Sequence, residues 1–261
     1  MVNRRNKRVG LGVIACIVPR MTVSGTAHAY SLCMGTLYLV RHGQASLGAD
    51  DYDNLSDLGR RQSRRLGQYF AAKGLQFEAV LCGSLKRHAQ TWAGIQSGMA
   101  SDGASATTLT PQVWPGLNEY DSEAVIASVH PAPHAKPVTP EAYRAHFRLL
   151  RTGLLQWASA AATPLGMPLY SEFVQGIFAA LDQVRSQYSG NVLLVSSGGP
   201  IATAVAQILG CSPESFVELN MRLRNTAVSE LAFNPNRHVL MTFNTVPHLD
   251  APQFADWISF A

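Results

Sequence analysis

Three short, nearly continuous apolar runs stand out along the chain, at Thr36–Val40, Phe77–Leu81 and Asn191–Ser196. Unbroken apolarity in β-prone residues predicts strands buried on both faces, as in a parallel sheet covered by helices. Between these runs the apolar period lengthens. A helix is expected from Ser56 or Asp57 to about Lys73, with Leu58, Leu66, Tyr69 and Phe70 on one face and Gly74 as its stop. Further helices are expected over Leu85 to about Gly98, over Pro140 or Glu141 to about Ala160, and over about Glu172 to Tyr188. A last one runs from the Gly198-Gly199-Pro200 turn to about Leu209, with Gly210 closing it. Thr226–Phe233 and His238–Phe243 predict two strands joined by the turn Asn234–Arg237. Residues 99–116 and the proline-rich segment 129–140 read as loops, the first with room for one short strand.

Strands that alternate with helices over most of the length predict an α/β fold. Its expected form is three-layered, a mostly parallel central sheet with helices on both faces. There is no internal repeat and no second compositional domain, so residues 34–261 are expected to form one domain behind an extension of residues 1–33.

Composition supports a folded core. Apolar residues make up 47% of the chain and charged residues only 15%, which excludes global disorder. The net charge of +4 is unevenly placed. Residues 1–33 hold Arg4, Arg5, Lys7, Arg8 and Arg20 and no acid. The remaining 16 basic and 17 acidic residues leave the domain at −1, so no nucleic-acid surface is expected on it. The extension resembles a secretory signal, with a basic start, an apolar run Val9–Val18 and an Ala27-His28-Ala29 site. That run is too short to span a bilayer. A dispensable extension on a cytoplasmic protein is the competing expectation. Of the cysteines at 16, 33, 82 and 211, none forms a Cys-x-x-Cys pair. Cys82 closes an apolar run and is expected to be a buried thiol.

Ligands of open α/β sheets bind at the carboxyl ends of strands. Three polar clusters follow predicted strands directly: Arg41-His42-Gly43, Gly83-Ser84-Leu85-Lys86-Arg87 and Ser196-Ser197-Gly198-Gly199-Pro200. Arg41 could grip a phosphate bidentately, and the neutral imidazole of His42 could attack phosphorus. Arg87 would be a second phosphate clamp. The Ser197-Gly198 turn would offer free backbone N–H groups at a helix start, an anion cradle. Breaking a P–O bond needs a proton for the leaving oxygen, and Glu119 in the Gly116–Asp121 loop could supply it. The Gly-x-Ser-x-Gly elbow of serine hydrolases is absent. His130 and His134 are four apart in a proline-rich loop, off any helix, which argues against a metal site.

Together these segments resemble the histidine phosphatase, or phosphoglycerate mutase-like, superfamily, from about Leu37 to His248. Arg41-His42-Gly43 matches its N-terminal signature, and Leu55–Gln62 is similar to its first-helix segment. Ser84–Thr91 is similar to its second-arginine motif and Leu117-Asn118-Glu119 to its acid motif. The resemblance implies a phosphomonoester hydrolase. His42 would be phosphorylated and then dephosphorylated, Arg41 and Arg87 would clamp the phosphoryl group, and Glu119 would be general acid and then general base. It implies a small phosphorylated substrate or a phosphoprotein as partner, and no metal or organic cofactor.

One position departs from the pattern. The resemblance places a second histidine after the fourth core strand, in a Ser-His-Gly-Gly-like turn, and this chain has Ser197 there. A hydroxyl can still bond a phosphate oxygen but carries no positive charge. Three outcomes follow: a slow enzyme using Ser197 and Gly198, an imidazole arriving from His88 or His248, or a phosphate-binding module with little turnover. On this reading Ser197→His is expected to raise turnover. A mutase would need further cations for a substrate carboxylate. Arg144, Arg148 and Arg151 share one helix face, and a solvated face is the plainer reading of that stripe.

Overall fold

The computed structural model describes residues 34–46, 53–100, 109–132, 137 and 139–260. The extension, Cys16, Cys33 and His134 lie outside them. Six strands form one sheet in the order β3-β2-β4-β1-β5-β6. They are β1 (Gly35–Arg41), β2 (Ala79–Cys82), β3 (Gln112–Val113), β4 (Asn191–Ser196), β5 (Val228–Asn234) and β6 (Arg237–Thr245). The pairs β3–β2, β2–β4 and β4–β1 are parallel, while β5 and β6 add an antiparallel edge. The helices are α1 (Asp57–Ala72), α2 (Lys86–Ala100), α3 (Ser122–Val129), α4 (Pro140–Ala158), α5 (Tyr170–Gln187), α6 (Gly198–Leu209) and α7 (Pro213–Arg222).

Alternation along each strand sorts the core into two layers. Leu37 and Leu39 of β1, Leu81 of β2 and Leu194 of β4 pack with Leu154, Trp157, Ile177, Leu181 and Ile201 from α4, α5 and α6. Tyr38, Val40, Val80, Leu193 and Val195 point the other way, onto Leu66, Phe70, Trp92 and Ile95 of α1 and α2. The expected arrangement, a mostly parallel sheet with helices on both faces, is the one observed. On the second layer, α1 and α2 approach very closely. A Cβ on Gly98 would fall 2.1 Å from the Arg64 carbonyl, and one on Gly67 would fall 2.0 Å from the Ile95 carbonyl. Only glycine lets these two helices touch backbone to backbone.

Local signals set the element ends. Ser56 caps α1 by accepting the Gly59 N–H at 3.1 Å, and Gly74 ends the segment at φ 65°. Gly210, at φ 64°, ends α6. Strand β2 starts at Ala79 rather than Phe77; the Phe77 ring instead packs edge-on against Tyr38 and Phe70. Helices α3 and α7 were not expected from the apolar pattern. Both are short and capped by side chains: Asp121 accepts from the Glu123 and Ala124 N–H groups, and Ser212 accepts from Ser215 ahead of Pro213. Cys82 is the buried thiol expected, and burial pushes its pKa up to about 12. No helix among the described residues is long and apolar enough to cross a membrane.

Leu194 is 1% exposed on the strand between β1 and β2. Leu194→Ala should cost on the order of 2–5 kcal/mol, read from urea or thermal unfolding.

Candidate active site

The site forms because three strands end level. Arg41 of β1 pairs with Ser196 of β4, and Cys82 of β2 pairs with Val195. The ladder continues one residue past each end: His42 N–H donates to the Ser196 carbonyl at 2.8 Å, and Gly83 N–H to the Val195 carbonyl at 3.1 Å. The three polar clusters singled out from the sequence are thereby brought to one edge.

His42 is buried and its ring is held at one nitrogen. Nδ1 lies 2.7 Å from the Gly43 carbonyl, an acceptor only, so Nδ1 carries the proton. Nε2 therefore keeps its lone pair, and it accepts the Arg87 Nε–H at 3.2 Å. Burial, then Arg41, Arg87 and His88, hold the His42 pKa well below its ordinary value. The imidazole stays neutral and nucleophilic. Its setting is fixed from behind: Gly43 N–H donates to Thr91 Oγ1 at 3.0 Å, and Asn225 Nδ2 donates to the His42 carbonyl at 3.2 Å.

Two guanidiniums approach from different elements. Arg87, in the first turn of α2, is buried and salt-bridged to Asp53 at 2.8 Å. Asp53 also accepts the Lys86 N–H at 2.8 Å, which ties the start of α2 to the segment before α1. Arg41 donates from Nη1 to the carbonyls of Leu223 and Phe260. Its Nε faces the same small space as the acid: a methyl built on Gly198 would stand 3.7 Å from Arg41 Nε and 3.6 Å from Glu119 Oε2.

The start of α6 does not act as the open cradle expected. Gly199 N–H donates to Glu119 Oε1 at 2.9 Å, so one of its donors already holds the acid. A Cβ on Gly199 would lie 2.3 Å from that oxygen and 2.5 Å from the Tyr120 ring. Burial raises the Glu119 pKa, against the opposing pull of Arg41, Arg87 and two backbone N–H groups.

Ser197 is fully buried at the N-cap of α6, and its Oγ lies 2.7 Å from His88 Nε2. The two imidazoles, His42 and His88, stand 5.8 Å apart between centroids. Burial and then Arg87 bring the His88 pKa down to about 3. Gly83 makes room for it, since a Cβ there would fall 2.2 Å from His88 Nδ1. The expectation for Ser197→His changes accordingly: the space beside residue 197 is filled by the His88 ring, and a second imidazole does not fit unless the first is removed. His248 is turned elsewhere, with Nε2 2.9 Å from Thr226 Oγ1. Arg144 pairs with Glu141 and Arg151 with Glu218, as a solvated helix face would.

Four side chains of the site escaped the sequence reading. They are Asp53, Asn118, Asn220 and Asn225. Asn118 bonds both the backbone N–H and the hydroxyl of Ser84 at 2.7 Å, while Asn220 Nδ2 donates to the Tyr120 hydroxyl at 2.8 Å. Each works on the backbone or on another polar group rather than on the reacting centre. Asn118 alone stood inside a recognised motif.

The fold thus gathers a buried neutral imidazole, two guanidiniums and a carboxyl with a raised pKa at the carboxyl edge of an α/β sheet. The sequence profile of the histidine phosphatase superfamily (branch 1) matches residues 37–246, and the chain belongs to that family. No curated relative matches the sequence. Among solved structures, the chain is similar to a phosphoserine phosphatase from Entamoeba histolytica, with TM-score 0.57 and 19% identity over 83% of this chain and 100% of that one. It is similar to a phosphoglycerate mutase from Bacillus anthracis, with TM-score 0.58 and 17% identity over 82% and 95%. An α-ribazole phosphatase from Shigella flexneri aligns with TM-score 0.54 and 21% identity over 81% and 96%. At these identities the likeness is one of fold.

Burial of neutral histidines has a measurable cost in acid. His88 and His248 both fall from an ordinary 6.5 to about 3 on folding. Below pH 6.5 the unfolded chain then binds protons that the native chain refuses, so stability is present above that pH and lost as pH falls toward 3. Each contributes a slope of about 1.4 kcal/mol per pH unit in that window. Denaturant melts at pH 7 and pH 5 should show the loss, and His248→Gln should flatten it; an equal slope in that variant would contradict the assignment. Gly199→Ala should lower stability by about 1–3 kcal/mol in thermal melts and any turnover with it, because its methyl clashes with both the Glu119 carboxyl and the Tyr120 ring.

Proposed function

We propose that the protein is a phosphomonoester hydrolase working through a phosphohistidine at His42. The observation that carries this reading is the state of the His42 ring: its Nδ1 is tied to the Gly43 carbonyl, and its Nε2 lone pair faces Arg87 in a buried site. An imidazole locked in that tautomer is a ready nucleophile. Arg41 and Arg87 would neutralise the equatorial phosphoryl oxygens, where most of the catalytic stabilisation of phosphoryl transfer arises. In this reading a phosphate oxygen displaces Arg87 from Nε2 as substrate enters.

The two half-reactions balance on one carboxyl. Nε2 attacks phosphorus, the P–O bond to the leaving group breaks, and protonated Glu119 gives its proton to the departing oxygen. Water then attacks the phosphohistidine, Glu119 takes the water proton, and the N–P bond breaks to release phosphate and free His42. Burial favours the protonated acid and the Arg41 and Arg87 charges favour the carboxylate, so Glu119 is suited to alternate between the two states. A small phosphorylated molecule or a phosphoprotein would be the substrate. The pairing of Arg144 with Glu141 and of Arg151 with Glu218 occupies the cations a mutase would want for a substrate carboxylate, which favours hydrolysis over transfer. A second reading, a phosphate-binding module with little turnover, draws on Ser197 alone.

Acid quench during turnover of an aryl phosphate should trap an acid-labile phosphoprotein in the wild type and none in His42→Ala. Equal hydrolysis by the two proteins would end the proposal. Phosphate-dependent thermal stabilisation without any turnover would select the binding module instead. Glu119→Gln should lower kcat by about 10²–10⁴ for an alkyl phosphate, whose leaving oxygen needs a proton. The loss should be much smaller for 4-nitrophenyl phosphate, whose leaving group departs as the anion.

A further inference from the structure

His88 is a fully buried imidazole on the first turn of α2, next in sequence to Arg87. A polar ring without water needs a partner, since an unsatisfied buried group is costly. The partner it finds is Ser197 Oγ at 2.7 Å, and the ring stands 5.8 Å from that of His42. The contact joins the helix that follows β2 to the turn that follows its neighbour β4. Space for the ring is specifically provided: residue 83 is glycine, and any Cβ there would lie 2.2 Å from His88 Nδ1. Nδ1 makes no hydrogen bond of good geometry, although the Gly83 backbone lies near enough to act on the ring, so Ser197 is the well-formed hydrogen-bond partner of His88.

The Ser197 hydroxyl has one proton and two lone pairs. If the hydroxyl donates to His88, nothing remains for an anion. If His88 Nε2–H donates to Ser197 Oγ, the hydroxyl proton is free to point into the pocket. A phosphoryl oxygen in the pocket would select this second arrangement, with the ring proton on Nε2, because only then is the hydroxyl proton available to it. Hydrogen bonds in such a chain polarise one another, so the hydroxyl becomes a stronger donor than it would be alone.

We propose that His88 is a positioning residue of the phosphoryl pocket, which directs the Ser197 hydroxyl onto a phosphoryl oxygen, so that His88 and Ser197 together do the work of the imidazole that the family resemblance places at residue 197. The proposal rests on the phosphohistidine reading above. No proton is transferred along the chain; it orients and strengthens one donor. The imidazole is supplied from the start of α2 rather than from the turn after β4, with its ring 5.8 Å from that of the nucleophile.

A double-mutant cycle on an aryl phosphate tests this. Ser197→Ala and His88→Ala should each lower kcat/KM by about 10²-fold, the low end for one preorganised donor. The double variant should be no worse than the poorer single one, because both remove the same relay. Additive losses would overturn the proposal, as would wild-type kcat in His88→Ala. His88→Gln, whose side-chain N–H can still donate, should recover most of the loss. Ser197→His alone should fail, while Ser197→His combined with His88→Ala should return to within a few fold of wild type. Should the alanine variants not fold, ¹⁵N-histidine NMR of the wild type decides. Inorganic phosphate should fix His88 in the Nε2–H tautomer, and a lone pair at Nε2 in the phosphate-bound protein would refute the relay. If wild type and His42→Ala hydrolyse equally, the phosphohistidine reading fails first, and the phosphate titration still judges the His88–Ser197 pair.

Discussion

The parallel ladder between β1 and β4 is the constraint on which the site depends. Its register places Arg41 opposite Ser196 and continues through the bond from His42 N–H to the Ser196 carbonyl. A one-residue slip would turn Leu37 and Leu39 onto the wrong helical layer and swap the faces of His42 and Arg41. The hydrophobic layers therefore enforce the geometry of the polar edge. Leu39 and Leu194 in the core and His42 and Ser197 at the rim are governed by the same pairing.

What happens at that rim is governed by water exclusion. Buried imidazoles beside two guanidiniums remain neutral, because burial and then the neighbouring positive charges disfavour a further cation. The same desolvation raises Glu119. One environment thus holds an imidazole neutral and favours a protonated carboxyl, the two states the proposed chemistry would use. Asp53 moderates the field by pairing with Arg87.

Much of this architecture was readable from residue order. β1 and β4 are short apolar runs whose burial on both faces leaves little alternative, and their observed limits lie within one residue of those expected. The caps of α1 and the glycine stops of α1 and α6 are local chemistry, and the chain reports local chemistry directly. Helices α3 and α7 escaped because eight and ten residues are too few to establish a period, and their caps at Asp121 and Ser212 resemble ordinary turn residues. In the site, His42, Arg41, Arg87 and Glu119 were legible because each follows a strand or stands in a recognised motif. Asp53, Asn220 and Asn225 were not, since their roles arise only from long-range packing. The direction of the α6 donors was likewise hidden: nothing local says that Gly199 N–H will hold Glu119.

The notch at Gly83 carries a consequence for how such a site could arise. A side chain at 83 and an imidazole at 88 compete for the same space, so the two positions cannot change independently. A side chain at 83 would be felt first by the His88 ring and, through it, by Ser197 at the start of α6. A residue with no side chain of its own thus decides which polar groups can meet at the carboxyl edge, by volume rather than by chemistry.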